Sequence, residues 1–170
     1  RLGPKVQAGE VVDLYEKSGL PLLPVVTDME RTGVLLDTDV LATMSLDLAA
    51  RLGGIESELY KMVGHPVNLR ATQKMNQVLF GELNLPSRNI GKTASGHFST
   101  AAFELEKLQA YSGTLSDDQK RVLELIFTQR VLEKLRGTYV DALPTLVNPR
   151  TGRLHTSFNQ AGAVTGRLSS

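Results

Sequence analysis

The sequence predicts a mainly α fold: two long helices lying antiparallel, a small helical tip between them, and a change to strands near the end. Three observations carry this. Apolar residues recur at three- and four-residue spacing over positions 41–62. A second periodic run opens at a capping box, Ser116-Asp117-Asp118-Gln119. Beyond Pro144 the helical period gives way to a turn and to alternating residues.

The first long helix starts after Asp37-Thr38-Asp39, a polar cluster that places acids at the positive end of a helix. Leu41, Met44, Leu48, Leu52, Ile55, Leu59 and Met62 then form one apolar stripe, on a helix of about 24 residues and about 36 Å at about 1.5 Å per residue. Gly64 and Pro66 end it. Gly53-Gly54 lies inside and weakens the helix, so a kink or a close helix contact is expected there. Next come a short helix over 71–80, a Gly/Ser/Pro-rich loop over 85–99 and another short helix over 100–110. The second long helix runs from Ser116 to about Leu143, with Val122, Leu125, Ile126, Leu132, Leu135, Tyr139 and Leu143 as its apolar positions. A compact tip between the two helices lets them pair antiparallel. Asn148-Pro149-Arg150-Thr151-Gly152 reads as a turn, and a strand follows from Arg153 to Gln160, with Leu154, Thr156 and Phe158 alternating against His155, Ser157 and Asn159. A domain boundary is expected near Thr145.

At 170 residues without Cys or Trp, the chain has room for a domain and a little more, and it carries neither a disulfide framework nor a thiolate metal site. No apolar run approaches the roughly 20 residues of a membrane span. A cytosolic setting is expected, with no membrane partner. Arg1 stands where an initiator Met would be, and the final Thr165-Gly166-Arg167-Leu168-Ser169-Ser170 breaks off soon after a new strand unit begins. The chain is therefore expected to be a piece of a longer one.

The net charge of +1 conceals segregation. From Glu10 to Glu58 ten acids face only Lys17, Arg31 and Arg51. Lys61, Arg70, Lys74, Arg88 and Lys92 then face Glu82 alone, and Lys134, Arg136, Arg150, Arg153 and Arg167 face only Asp141. Two basic stretches thus flank a mixed one. Charge by itself fits a polyanion partner and plain solvated surface equally well.

Several motifs imitate chemistry. Gly91-Lys92-Thr93 ends like a P-loop, but the earlier Gly that such a loop needs is replaced by Pro86. Asp117 and Asp118 point about 100° apart on a helix and suit its N-terminus, so they read as structural rather than as a metal pair. His65, His97 and His155 have no ligand-spaced partner. No Ser/His/Asp set declares itself.

A series of separated motifs stands in one order: Leu20-Pro21-Leu22 with Val25, Met29-Glu30, Gly33-Val34 and Asp37; Asn68-Leu69 with Gln73-Lys74; Leu79-Phe80, Leu83 and Leu85-Pro86; Lys92-Thr93, Gly96 and Ser99-Thr100. It continues with Arg130, Lys134-Leu135-Arg136-Gly137-Thr138-Tyr139, Asp141-Ala142-Leu143-Pro144, Asn148-Pro149, Thr151-Gly152-Arg153, His155-Thr156 and the closing Thr-Gly-Arg-Leu-Ser-Ser. In these the chain resembles the family A DNA polymerases, the bacterial DNA polymerase I family, from about Leu20 to its end. The last two blocks are the most specific.

The resemblance implies that residues 20–144 are a thumb, 145–170 the beginning of an α+β palm, and 1–19 the tail of an upstream exonuclease-like domain. A family thumb grips the primer-template duplex on its minor-groove side through backbone contacts, which gives the basic stretches a purpose. The implied DNA-binding residues are Asn68, Lys92, Thr93, Ser99, Thr100, Arg130, Lys134 and Arg167. Arg130 and Lys134, four apart, face one side of the second long helix. Ser99 and Thr100 also suit helix capping. Arg167 matches the Arg that reaches the minor groove at the growing primer end, where acceptors sit alike on every base pair. Departures are Ala71-Thr72-Gln73-Lys74 where the family often has Ser-Pro-Lys-Gln, and Gly137 where many relatives have Ser. No catalytic or metal-binding residue is implied within this segment. The metal-binding carboxylates and the nucleotide-binding helix of relatives follow the closing motif, so Mg2+ and a deoxynucleotide are partners expected of the complete enzyme, a monomer associated with the nucleoid in a bacterial cytoplasm. A non-enzymatic helical DNA- or protein-binding module is the alternative from another class, and a parent that has lost polymerase activity is a third.

Overall fold

The computed structural model describes residues 12–110 and 112–170. The chain divides into two compact units, one holding the chain up to Thr38 together with Leu143–Ser170, the other Asp39–Ala142. Residues 1–11, part of the expected upstream tail, lie outside the described residues.

The helical unit is built on two helices. The first, α2 (Thr38–Val63), is 26 residues long with Asp39 in its first turn, and it ends where the Gly64 amide donates to Tyr60 O at 2.8 Å. The other, α5 (Asp117–Leu135), carries Asp117 and Asp118 in its first turn. Its capping box is present: Gln119 N donates to Ser116 Oγ at 3.2 Å, and Ser116 N to Gln119 Oε1 at 3.0 Å. The helices run antiparallel. Leu59 of α2 packs with Val122, Leu123 and Ile126 near the start of α5, whereas Leu48 packs with Leu132 and Val140 near its end. The Arg121 guanidinium forks onto Glu58 at 2.7 and 3.1 Å. At the other end Ser45 Oγ donates to Asp141 Oδ1 at 2.6 Å, and Arg136 lies 3.2 Å from the same carboxylate.

Three expectations for these helices are corrected. Met44 belongs to the apolar stripe by spacing but stays exposed. The close contact expected at Gly53-Gly54 is not found, because a Cβ at either position would meet nothing within 4 Å. The second helix does not continue as α-helix to Leu143. It widens into a π-helical turn over Arg136–Val140, with Asp141 N on Arg136 O at 2.8 Å, and Pro144 falls within a separate 3-10 turn, Leu143–Leu146.

The tip packs under these helices. α3 (Thr72–Asn76) continues as a π-helical stretch, Gln77–Glu82, and starts at Ala71 with no side-chain cap. With α4 (Ala102–Ala110) it supplies Met75, Leu79, Leu105 and Leu108 to the core around Leu59. The expected loop between them holds a hairpin at its end: Ser99 N donates to Gly91 O at 2.7 Å and Thr93 N to His97 O at 2.8 Å.

The other unit opens with a helix that the sequence reading did not anticipate. α1 comprises Val12–Leu14, a π-helical stretch Tyr15–Gly19, and Leu20–Thr32. Pro21 and Pro24 both lie within this continuous helical run, which continues past them. Gly33 ends α1 at φ 66° and cannot be replaced freely, since a Cβ there would lie 2.5 Å from Leu154 O. The close approach belongs to a small sheet, in which β1 (Val34–Leu35) pairs antiparallel with β2 (Arg153–Leu154), Val34 opposite Leu154. The strand expected to run to Gln160 stops after Leu154. Its continuation bonds to the end of α1 instead of a strand: His155 Nδ1 donates to Glu30 O at 2.8 Å, and Phe158 N to Glu30 Oε1 at 2.5 Å.

Candidate nucleic-acid interface

Hairpin 91–99 gathers Lys92, Thr93 and Ser99 from the sequence candidates, with Thr100 at its base. Lys92 is exposed, its ammonium 5.3 Å from the centre of the Phe98 ring. That ring rests against Phe80 at 5.0 Å between centroids, so the cation sits on a supported aromatic face. Thr93 is more engaged than expected. Its amide serves the hairpin, and its hydroxyl donates to His97 O at 3.1 Å and lies 3.0 Å from Ser95 Oγ. Ser99 Oγ accepts from Ala101 N at 3.2 Å, a local turn ahead of α4 rather than a cap on the helix's own amides.

Thr100 requires a correction as a surface candidate. Its side chain is buried, with the residue only 4% exposed, and what it offers is its carbonyl, which accepts from Arg130 Nη1 at 2.7 Å. That bond joins the long helix to the base of the hairpin. Arg130 is half-buried in consequence, and desolvation lowers its pKa from the usual value, although a guanidinium stays charged. Lys134, one turn along the same face, is exposed.

Asn68 lies in the loop after α2. Its Oδ1 accepts from Arg70 N at 3.0 Å, a turn that leaves the side-chain amide available. It lines a groove with Tyr60, Arg70 and Gln129. Arg70 pairs with Glu133, which also accepts from Gln129 Nε2 at 2.6 Å, so the groove reaches the neighbourhood of Arg130 on α5.

Arg167 belongs to the other unit. It stands exposed in a loop whose ends are joined by two backbone bonds, Asn159 N to Ser169 O at 2.7 Å and Ser169 N to Asn159 O at 3.1 Å. At Gly162 a Cβ would sit 2.1 Å from Ser169 Oγ, so a side chain there would require Ser169 to shift.

Two residues that organise the hairpin escaped the sequence reading. Asn76 Nδ2 donates to Phe98 O at 2.6 Å. Glu104 Oε2 accepts the Gly91 amide at 2.9 Å, with Lys107 Nζ 2.8 Å away. The ammonium of Lys107, and secondarily the Gly91 amide, hold the Glu104 carboxyl below the usual carboxylate range. The three-residue spacing of Glu104 and Lys107 was visible as a helix pair; its reach back to a loop was not.

Among the described residues no group of three His, Asp or Glu side chains could hold a metal ion, and no helix is long and apolar enough to cross a membrane. What the arrangement offers is cations and hydroxyls on a braced surface. It suits a phosphate backbone rather than a small substrate.

Known structures place the fold. It is that of part of a polymerase domain: the POL domain of Pol1 from M. smegmatis, solved in complex with DNA primer-template and dNTP, matches 99% of this chain with 28% of its own, at a TM-score of 0.79 and 29% identity. DNA polymerase I of Chloroflexus aurantiacus is 45% identical over 93% of this chain, and the thermostable DNA polymerase I of Thermus aquaticus 44% identical over 92%. The model of DNA polymerase family A matches residues 38–170, and the chain belongs to that family. It spans 16% of the Chloroflexus relative and 18% of the Thermus one.

Proposed function

We propose that this chain is the duplex-gripping part of a DNA-directed DNA polymerase, with residues 20–144 as the thumb, 145–170 as the beginning of the palm, and residues before 20 as the tail of an upstream exonuclease-like domain. It holds double-stranded primer-template DNA through backbone and minor-groove contacts while the complete enzyme, a nucleotidyltransferase of replication and repair, extends the primer in a bacterial cytoplasm. The observation that carries this reading is the 2.7 Å bond from Arg130 to Thr100 O. It ties the cation row of α5 to the hairpin bearing Lys92 and Thr93, so two predicted sets of phosphate contacts form one braced surface.

The chemistry follows from what a copying enzyme must tolerate. Phosphate contacts carry no base identity, so lysines and hydroxyls hold every sequence alike. At the primer end Arg167 reads only acceptors that all base pairs share. Mg2+ and the deoxynucleotide belong to the complete enzyme; among the described residues no group of three His, Asp or Glu side chains could hold the metal, and no step of the proposal runs through it.

The test uses the full-length protein with Lys92→Glu, Lys134→Glu and Arg167→Glu, each measured for binding to labelled primer-template across a salt series. Each reversal is expected to weaken binding, with the slope of log affinity against log salt shrinking by about 0.9 per lost phosphate contact. Unchanged binding by all three folded variants overturns the proposal.

A further inference from the structure

Hairpin 91–99 is held at both strands by side chains from the neighbouring helices. Asn76 of α3 holds the Phe98 carbonyl at 2.6 Å. On the opposite strand Glu104 of α4 takes the Gly91 amide at 2.9 Å, while Lys107 Nζ reaches both that carboxylate, at 2.8 Å, and Asn89 O, at 3.4 Å. The Glu104 side chain is 16% exposed and that of Lys107 33%, so water screens this pair less than it would a surface pair. Asn89 sits at φ 68°, a left-handed conformation that costs any residue with a Cβ, though Asn less than most. A Cβ on Gly91 would lie 3.1 Å from Glu104 Oε1. The carboxylate therefore closes directly on the backbone next to Lys92.

We propose that the Glu104–Lys107 pair is a positioning device for DNA binding: it fixes the strand carrying Lys92 and Thr93 so that both meet the duplex backbone in one orientation. The inference rests on the duplex-gripping reading above. A lysine is a point charge on a flexible stem, so its aim depends on where its backbone is held. Here the backbone is held by a partly buried acceptor one residue away, and the stem ends over the Phe98 ring. Lowered carboxylate pKa supports the geometry, since the charged form is the one the amide and ammonium favour.

The experiment compares full-length wild type with Glu104→Ala, Glu104→Gln and Lys92→Glu. Two quantities are read: hydrogen exchange of the peptide covering residues 88–100, and duplex affinity across a salt series. Glu104→Ala is expected to exchange faster in that peptide and to bind about three- to tenfold more weakly, with a salt slope smaller by up to about 0.9. Glu104→Gln keeps an acceptor for the Gly91 amide and is expected to recover most of both. Glu104→Ala with wild-type exchange overturns the clamp, and faster exchange with wild-type affinity and slope overturns its positioning role. A Glu104→Gln variant no better than Glu104→Ala overturns the amide contact as its basis. If Lys92→Glu also binds like wild type, the duplex reading of the hairpin fails together with the inference; if only Lys92→Glu is impaired, the inference fails alone.

Discussion

His65 is held between two acceptors, Glu82 Oε2 at 2.8 Å and Pro66 O at 3.1 Å, a pairing that only the imidazolium satisfies with both ring nitrogens. The Glu82 carboxylate first, and the Pro66 carbonyl second, raise its pKa above the usual 6.5. Its contribution to stability is therefore full below 6.5 and lost as pH rises through the higher folded value. Urea unfolding of wild type against His65→Gln is expected to show a stability gap at acidic pH that closes as the solution is made alkaline. Arg130 makes a second residue-scale case, because its bond to the Thr100 carbonyl gives it a structural duty besides any phosphate contact. Arg130→Ala is expected to lose about 1–3 kcal/mol of stability by leaving that carbonyl unpaired, measured by denaturant unfolding without DNA. Residue types at the site were legible in the sequence; their engagements were not. Thr100 looks like a surface hydroxyl in the string, and only folding shows it buried against α5.

At the scale of elements, legibility followed amphipathicity. α2 and α5 show their buried faces at helical spacing and α5 announces its start with a capping box, so both were readable. α1 was not, because Pro21 and Pro24 signal a break and its exposed face carries Leu23, Val25 and Met29 as well as polar residues. The strand after Arg153 alternates correctly, yet it pairs for two residues only, and its next groups bond to Glu30 on a helix 125 to 128 residues earlier in the chain. No local pattern encodes such a partner. Two substitutions test the elements that were legible. Ser116→Ala is expected to cost about 1 kcal/mol by removing the cap of α5. Leu59→Ala, in a side chain only 2% exposed between the long helices and the tip, is expected to cost about 2–5 kcal/mol; thermal or chemical melts measure both.

For the whole molecule the average charge of +1 misleads, since binding depends on where cations stand and not on their sum. Raising salt is expected to weaken duplex binding in proportion to the phosphates contacted, and equally for unrelated DNA sequences of the same length. A fluorescence-anisotropy series with two such duplexes checks both parts. The joined ends of the helical unit bear on something else, the order of events as the chain is made. β1 must find β2 across 120 residues of chain, a closure whose entropic cost grows with the length of free polymer between the partners. Ser45, Arg136 and Asp141 are expected to shorten that search. Once they meet, across 96 residues, the intervening helices are a folded body with its entry and exit fastened together. A Ser45→Ala, Asp141→Ala chain is therefore expected to refold β1 onto β2 more slowly while reaching the same final pairing, as read by stopped-flow refolding.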